Sequence, residues 1–111
     1  MRLESKKHLE DMRRATELLA QFGRGRSKGD YVSDPLFRSA VERQLEIIGE
    51  AVSRLKKEDA DAASKISDVQ KIISFRNILT HAYDVVDENV VWDVLINKIP
   101  VLRREIDSLL E

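Results

Sequence analysis

The stretch Ser33-Asp34-Pro35-Leu36-Phe37-Arg38-Ser39-Ala40-Val41-Glu42-Arg43-Gln44-Leu45-Glu46-Ile47-Ile48-Gly49-Glu50-Ala51-Val52-Ser53-Arg54-Leu55 decides the fold class. It opens with capping side chains followed by proline, the residue that suits the first turn of a helix because its missing amide hydrogen has no partner there. Apolar residues then recur at Leu36/Phe37, Ala40/Val41, Leu45, Ile48, Ala51/Val52 and Leu55, the three-to-four spacing of one helical face. This is a long amphipathic helix with one side to bury.

The same period appears on both sides of it. Residues 3–22 read as a first helix, with Leu9, Met12, Ala15, Leu18, Leu19 and Phe22 on its stripe. The segment Gly23-Arg24-Gly25-Arg26-Ser27-Lys28-Gly29 holds three of the four glycines and reads as a mobile basic loop. Residues 56–65 form a polar connection with room for a frayed turn. A third helix is expected from Ile66 to Tyr83. Asp87 is placed to cap a fourth, whose stripe is Val91, Leu95, Ile99, Leu102, Ile106 and Leu109/Leu110. Pro100 interrupts that stripe and should kink or split the helix. No strand alternation and no repeat is present. The expected architecture is all-α, a single domain over residues 1–111 built as an antiparallel four-helix bundle.

Composition narrows function by exclusion. With 111 residues, 42% apolar and 35% charged, the chain is long enough for one core. It has no cysteine, which excludes disulfides and thiolate metal sites. The charged N-terminus gives no reason to expect a signal peptide, and no apolar run approaches a membrane span, so a cytoplasmic protein without membrane contact is expected. The net charge of −1 conceals an uneven distribution. Residues 1–28 carry eight Lys/Arg against four Asp/Glu, while the remainder carries eleven against sixteen. A basic first third can attract phosphates, or can simply solvate a helix face. Any RNA contact should therefore be local.

The chemistry concentrates in Arg76-Asn77-Ile78-Leu79-Thr80-His81-Ala82-Tyr83. Arginine offers a permanently charged fork for phosphate, and histidine exchanges protons near neutrality. At about 100° per residue, Arg76 and His81 lie about 140° apart on a straight helix, whereas Asn77 and His81 are about 40° apart. One helix cannot aim Arg76 and His81 at the same phosphate without distortion or a long reach. A second protomer is the other way to complete such a site. Cleavage by the RNA 2′-hydroxyl benefits from both a base and an acid, and two copies of His81 would supply them.

Ile72, Phe75, Ile78, Leu79 and Ala82 form a wide apolar arc with Arg76 at its edge, a place where an unpaired charge is costly. Asn77 is the residue placed to orient the imidazole. The plainer readings are a salt-bridged Arg76, a His81 favoured by the helix C-terminus, and a core Tyr83 with a wet hydroxyl. His8 is expected to be exposed and Trp92 to be a packing residue. No His, Asp and Glu set has clear metal-ligand spacing, and no glycine-rich phosphate loop is present.

The octet resembles the Arg-x4-His-x-Tyr motif of HepT-like toxins in the HEPN superfamily. The likeness continues in Phe37–Ala51, which is similar to that family's second-helix signature, and in Val86-Asp87-Glu88-Asn89-Val90-Val91-Trp92, similar to the segment after its motif. The resemblance implies an HEPN-type helical homodimer and a metal-independent endoribonuclease without cofactor, the toxin of a type II-like toxin–antitoxin system. Arg76 would hold the phosphate, His81 would do acid–base work and Asn77 would support the site. The implied partners are RNA and a minimal nucleotidyltransferase antitoxin, which would use ATP to attach AMP to Tyr83. Two other classes stay open: a non-catalytic HEPN subunit that binds nucleotide or steadies the nucleotidyltransferase, and an unrelated helical adaptor.

Overall fold

A computed structural model describes residues 1–111, and it is all-α. The elements are α1 (Leu3–Gly23), α2 (Lys28–Ser33), α3 (Pro35–Glu58), α4 (Ala60–Ala63), α5 (Val69–His81), a 3-10 turn (Tyr83–Val85), α6 (Glu88–Asp93), a π-helical turn (Val94–Lys98) and α7 (Ile99–Leu110). The helices α1, α3, α5 and the α6–α7 pair are the four arms of the expected bundle. No helix is long and apolar enough to cross a membrane.

The long helix α3 begins where the sequence places it. The Asp34 carboxylate accepts from the amides of Leu36 and Phe37, and Pro35 occupies the first turn. Such a cap satisfies amides that the helix cannot. The face of α3 carrying Val41, Leu45, Ile48, Val52 and Leu55 is buried against Leu9, Met12, Ala15 and Leu19 of α1. On the other side of α1, Leu95, Ile99, Leu102 and Ile106 of the last arm complete one core of 21 buried residues. Trp92 packs as expected, with its ring 6.5 Å from those of Tyr31 and Phe37.

The last arm stays helical through Pro100 but changes its hydrogen-bond pattern just before it. Proline has no amide hydrogen to return to the carbonyl four residues back, and its ring crowds that carbonyl. The chain widens one turn before it: the Ile99 amide donates to the Val94 carbonyl, five residues back, as in a π-helical turn.

Three local expectations change. The supposed mobile basic loop contains α2, capped by Ser27 with a reciprocal bond from the Ser27 amide to the Asp30 carboxylate. Two of the segment's three cations have partners: Arg26 pairs with Asp34 at 2.9 Å and stacks 4.4 Å over the Phe37 ring, and Lys28 donates to Asn89. The polar connection of residues 56–65 is largely helical and buries Ala62 and Ala63. The third helix is shorter at both ends. It starts at Val69 after Asp68, which holds a left-handed φ of 58°, and it stops at His81 because Ala82 leaves helical geometry.

Candidate active site

The helix α5 packs chiefly against α3 and fully buries only Leu79. Ile72, Ile73 and Phe75 are half-buried, and Ile78 is exposed. One flank of α5 therefore rests on the bundle. The other borders an open, largely apolar groove of about 690 Å³ facing the π-helical turn and α7, lined by residues including Ile72, Phe75, Ile78, Val94 and Val101.

Arg76 projects from the flank that meets α3. Its side chain is 20% exposed, and its Nη2 forms an ion pair with Glu50 Oε2 at 3.1 Å. The second oxygen of that carboxylate accepts from Arg54 Nε at 3.0 Å. Arg76 Nε is buried and has no hydrogen-bond acceptor. These groups border a cleft of about 340 Å³ between α1, α3 and α5. Arginines 43, 54 and 76 share it with Asp11, Glu46 and Glu50, so its charge is nearly balanced. The ion pair is the plainer of the sequence expectations for Arg76, although the residue is well covered rather than free on the surface.

His81 is the last residue of α5 and is exposed. It does not line the Arg76 cleft, where Thr80 stands instead. The divergence of Arg76 and His81 expected from the helical wheel is thus present within one chain. Asn77 is exposed on the same helix, and its amide is not bonded to the imidazole. Tyr83 lies in the 3-10 turn beyond Ala82 and is 77% exposed. It is not a core ring, and the helical angle between Arg76 and Tyr83 does not apply, because the chain has left the helix.

His8 departs from expectation. It is buried, it lines the far side of the Arg76 cleft, and its Nε2 lies 2.5 Å from Glu58 Oε2. The reason is periodicity: Ser5, His8, Leu9, Met12, Ala15, Thr16 and Leu19 are the buried face of α1. Nearby, Ser5 Oγ donates to Asp59 Oδ2 at 2.7 Å, and Arg2 donates to the Glu58 carbonyl. The Ser5 hydroxyl, followed by the Ala62 amide, holds the Asp59 carboxyl below the usual carboxylate range. These contacts fasten the start of α1 to the α3–α4 corner, and of their residues only His8 lines the cleft.

A protein-family model described as Ribonuclease HepT-like matches residues 12–109. The protein named "Putative RNase TTE0752" from Caldanaerobacter subterraneus subsp. tengcongensis is 35% identical over 104 residues, covering 94% of this chain and 92% of its own length. "Probable ribonuclease HepT" from Thermococcus cleftensis is 33% identical over 109 residues, with 98% of each chain covered. "Gamma-glutamylcyclotransferase and putative RNase MJ0434" from Methanocaldococcus jannaschii is 30% identical over 111 residues, and this chain spans only 50% of its length. No solved structure matches the chain significantly.

Proposed function

This chain belongs to the HepT-like ribonuclease family, and we propose that it is the toxin of a two-protein system, an endoribonuclease whose site is completed across a homodimer. The observation that carries the reading is the arrangement of α5, which holds Arg76 firmly against α3 and presents His81 to solvent at its last turn. Within one chain the two point apart, and a second α5 would bring an acid–base group to each arginine. The open apolar groove beside α5 supports a second copy as its cover.

The chemistry needs a cation, a base and an acid. A neutral His81 accepts the proton of the RNA 2′-hydroxyl, and the freed oxygen attacks the adjacent phosphorus. The guanidinium of Arg76 stabilises the charge that gathers on the phosphoryl oxygens. The P–O5′ bond breaks, and the protonated His81 of the second protomer gives its proton to the departing oxygen. The products are a 2′,3′-cyclic phosphate and a free 5′-hydroxyl, and no step calls for a metal or cofactor. Asn77, exposed one turn before His81, orients the RNA or the ring.

Tyr83 is the point of control. A partner nucleotidyltransferase would bring ATP to its exposed hydroxyl. The phenolic oxygen attacks the α-phosphorus, the bond to the β-phosphate bridge breaks, pyrophosphate leaves, and the phenolic proton passes to solvent. The added phosphodiester and nucleoside stand two residues from His81, where they repel and obstruct an RNA backbone. An RNA substrate and an ATP-using partner would put this activity in the cytoplasm.

The Glu50–Arg76 pair favours one competing reading, in which Arg76 is structural and the chain is a non-catalytic subunit that binds nucleotide or supports the nucleotidyltransferase. Incubation of the purified protein with RNA in excess EDTA separates the two. Cleavage that disappears in the Arg76→Ala, His81→Ala double variant is the expected result. Intact RNA throughout, or cleavage that survives the double variant, rejects the enzyme.

A further inference from the structure

Arg76 reaches its cleft through a close crossing of α5 over α3, and the crossing point is Gly49. A Cβ added at Gly49 would stand 2.6 Å from Arg76 Cγ and closer still to Arg76 Cβ. Carbon atoms do not coexist at such distances. The obstacle is the root of the Arg76 side chain rather than a mobile tip, so even one methyl group must push α5 outward. Gly49 lies in the interior of α3 without a positive φ, a position where glycine is otherwise a poor choice. What the fold requires there is the missing side chain.

The next residue supplies direction. Glu50 divides its carboxylate, one oxygen to Arg76 Nη2 and the other to Arg54 Nε. With one oxygen turned to Arg54, Glu50 meets the Arg76 fork through a single oxygen and does not chelate both donors on its edge. Arg76 Nε is left buried and unpaired.

We propose that Gly49 and Glu50 are the positioning pair of Arg76: Gly49 sets the depth at which the guanidinium crosses α3, and Glu50, held by Arg54, fixes its direction while leaving the exposed part of the fork for an anionic ligand. The ligand class, an RNA phosphate, rests on the ribonuclease reading above. The positioning itself does not.

Two measurements test it separately. The first needs no RNA and follows the Nε–Hε signal of Arg76 by NMR, assigned through its disappearance in Arg76→Lys. In the unaltered protein this hydrogen should exchange slowly with water. Glu50→Gln and Gly49→Ala should each speed its exchange by about tenfold or more, as burial and fixed geometry are lost. Arg54→Gln alters an exposed side chain and should do the opposite. It frees the second Glu50 oxygen to take up Nε, so exchange slows further. This variant keeps the proposal testable if Gly49→Ala does not fold.

The second measurement uses a 2′-O-methyl RNA oligonucleotide, which binds but cannot react, beside its cleavable RNA counterpart. Glu50→Gln should bind the methylated RNA at least as tightly as the unaltered protein, because a competing carboxylate is gone, yet cleave RNA about tenfold more slowly. In an Arg76→Ala background, Glu50→Gln should leave binding unchanged. A purely structural carboxylate would weaken binding in both backgrounds alike, and that result overturns the proposal, as does an Arg76 signal that Glu50→Gln and Arg54→Gln both leave unmoved. If the unaltered protein fails to cleave RNA while the NMR responses appear, the ribonuclease reading fails and the positioning pair stands.

Discussion

Arg76 and His81 stand five residues apart on α5 in opposite surroundings: Arg76 is 20% exposed and tied to Glu50, whereas His81 is exposed at the helix end. The turn of the helix between them separates the group suited to hold a phosphate from the group suited to move a proton. If the two serve one site, as proposed, a single chain carries its halves apart.

If a second copy covers the groove beside α5, Ile78 is the residue to disturb. It is 41% exposed and borders that groove. Light scattering should find the unaltered protein dimeric at micromolar concentration. Ile78→Asp should be monomeric with unchanged helical circular dichroism, because a carboxylate opposes apolar burial that contributes about 25 cal/mol per Å². A monomeric unaltered protein contradicts the composite site.

Tyr83→Phe should fold and cleave RNA as before, since the 77% exposed ring supports no core contact. It should also escape the proposed nucleotidyltransferase partner. Intact-mass measurement after incubation with that enzyme and ATP should show one AMP on the unaltered protein and none on the variant. An adduct persisting on Tyr83→Phe would move the modification elsewhere.

The main arms of the fold were legible because they rest on apolar periodicity and on strong punctuation. Asp34-Pro35 marks the start of α3, and Pro100 marks the change of hydrogen-bond pattern in the last arm. The helix α2 was hidden because Lys28 and Gly29 sit among glycines, although Ser27 and Asp30 have the spacing of a capping box. The end of α5 carries no glycine or proline, so the pattern ran on to Tyr83 while the backbone turned at Ala82. His8 was legible in principle, since it falls on the buried stripe with Leu9 and Met12. Its polar character and charged neighbours obscured that. The octet named the candidate residues, but Glu50 and the crossing at Gly49 depend on contacts between helices that spacing along one helix does not reveal.

His8 makes a stability prediction. His8→Ala should lower unfolding free energy by about 0.5–1.5 kcal/mol, the usual net worth of a hydrogen bond whose other partner, here the half-exposed Glu58, can turn to water. Urea denaturation measures it. No change in the midpoint would mean that the His8–Glu58 contact adds nothing to the attachment of α1.

Asp59 makes a prediction about acid. Its carboxyl is held below the ordinary value of 3.8 by the Ser5 hydroxyl first and the Ala62 amide second. The unfolded chain therefore takes up this proton before the folded one does. The contribution to stability is fully present above the unfolded value and is lost as pH falls through the lower folded value. Asp59→Asn should be less stable near neutrality and should lose less on acidification below about pH 4. Parallel stability profiles for the two proteins would contradict this.

The central claim, that Arg76 of one protomer works with His81 of the other, is tested most directly by mixing two inactive proteins. Arg76→Ala and His81→Ala should each fail to cleave RNA in EDTA. After subunit exchange at equal amounts, half of the dimers pair one variant with the other, and each of these sets the one remaining Arg76 opposite the one remaining His81, an imidazole that must serve first as base and then, once protonated, as acid. The account predicts partial recovery, no more than about one quarter of the unaltered activity, with 2′,3′-cyclic phosphate ends on the products. Confirmed exchange with no recovery of cleavage would contradict it.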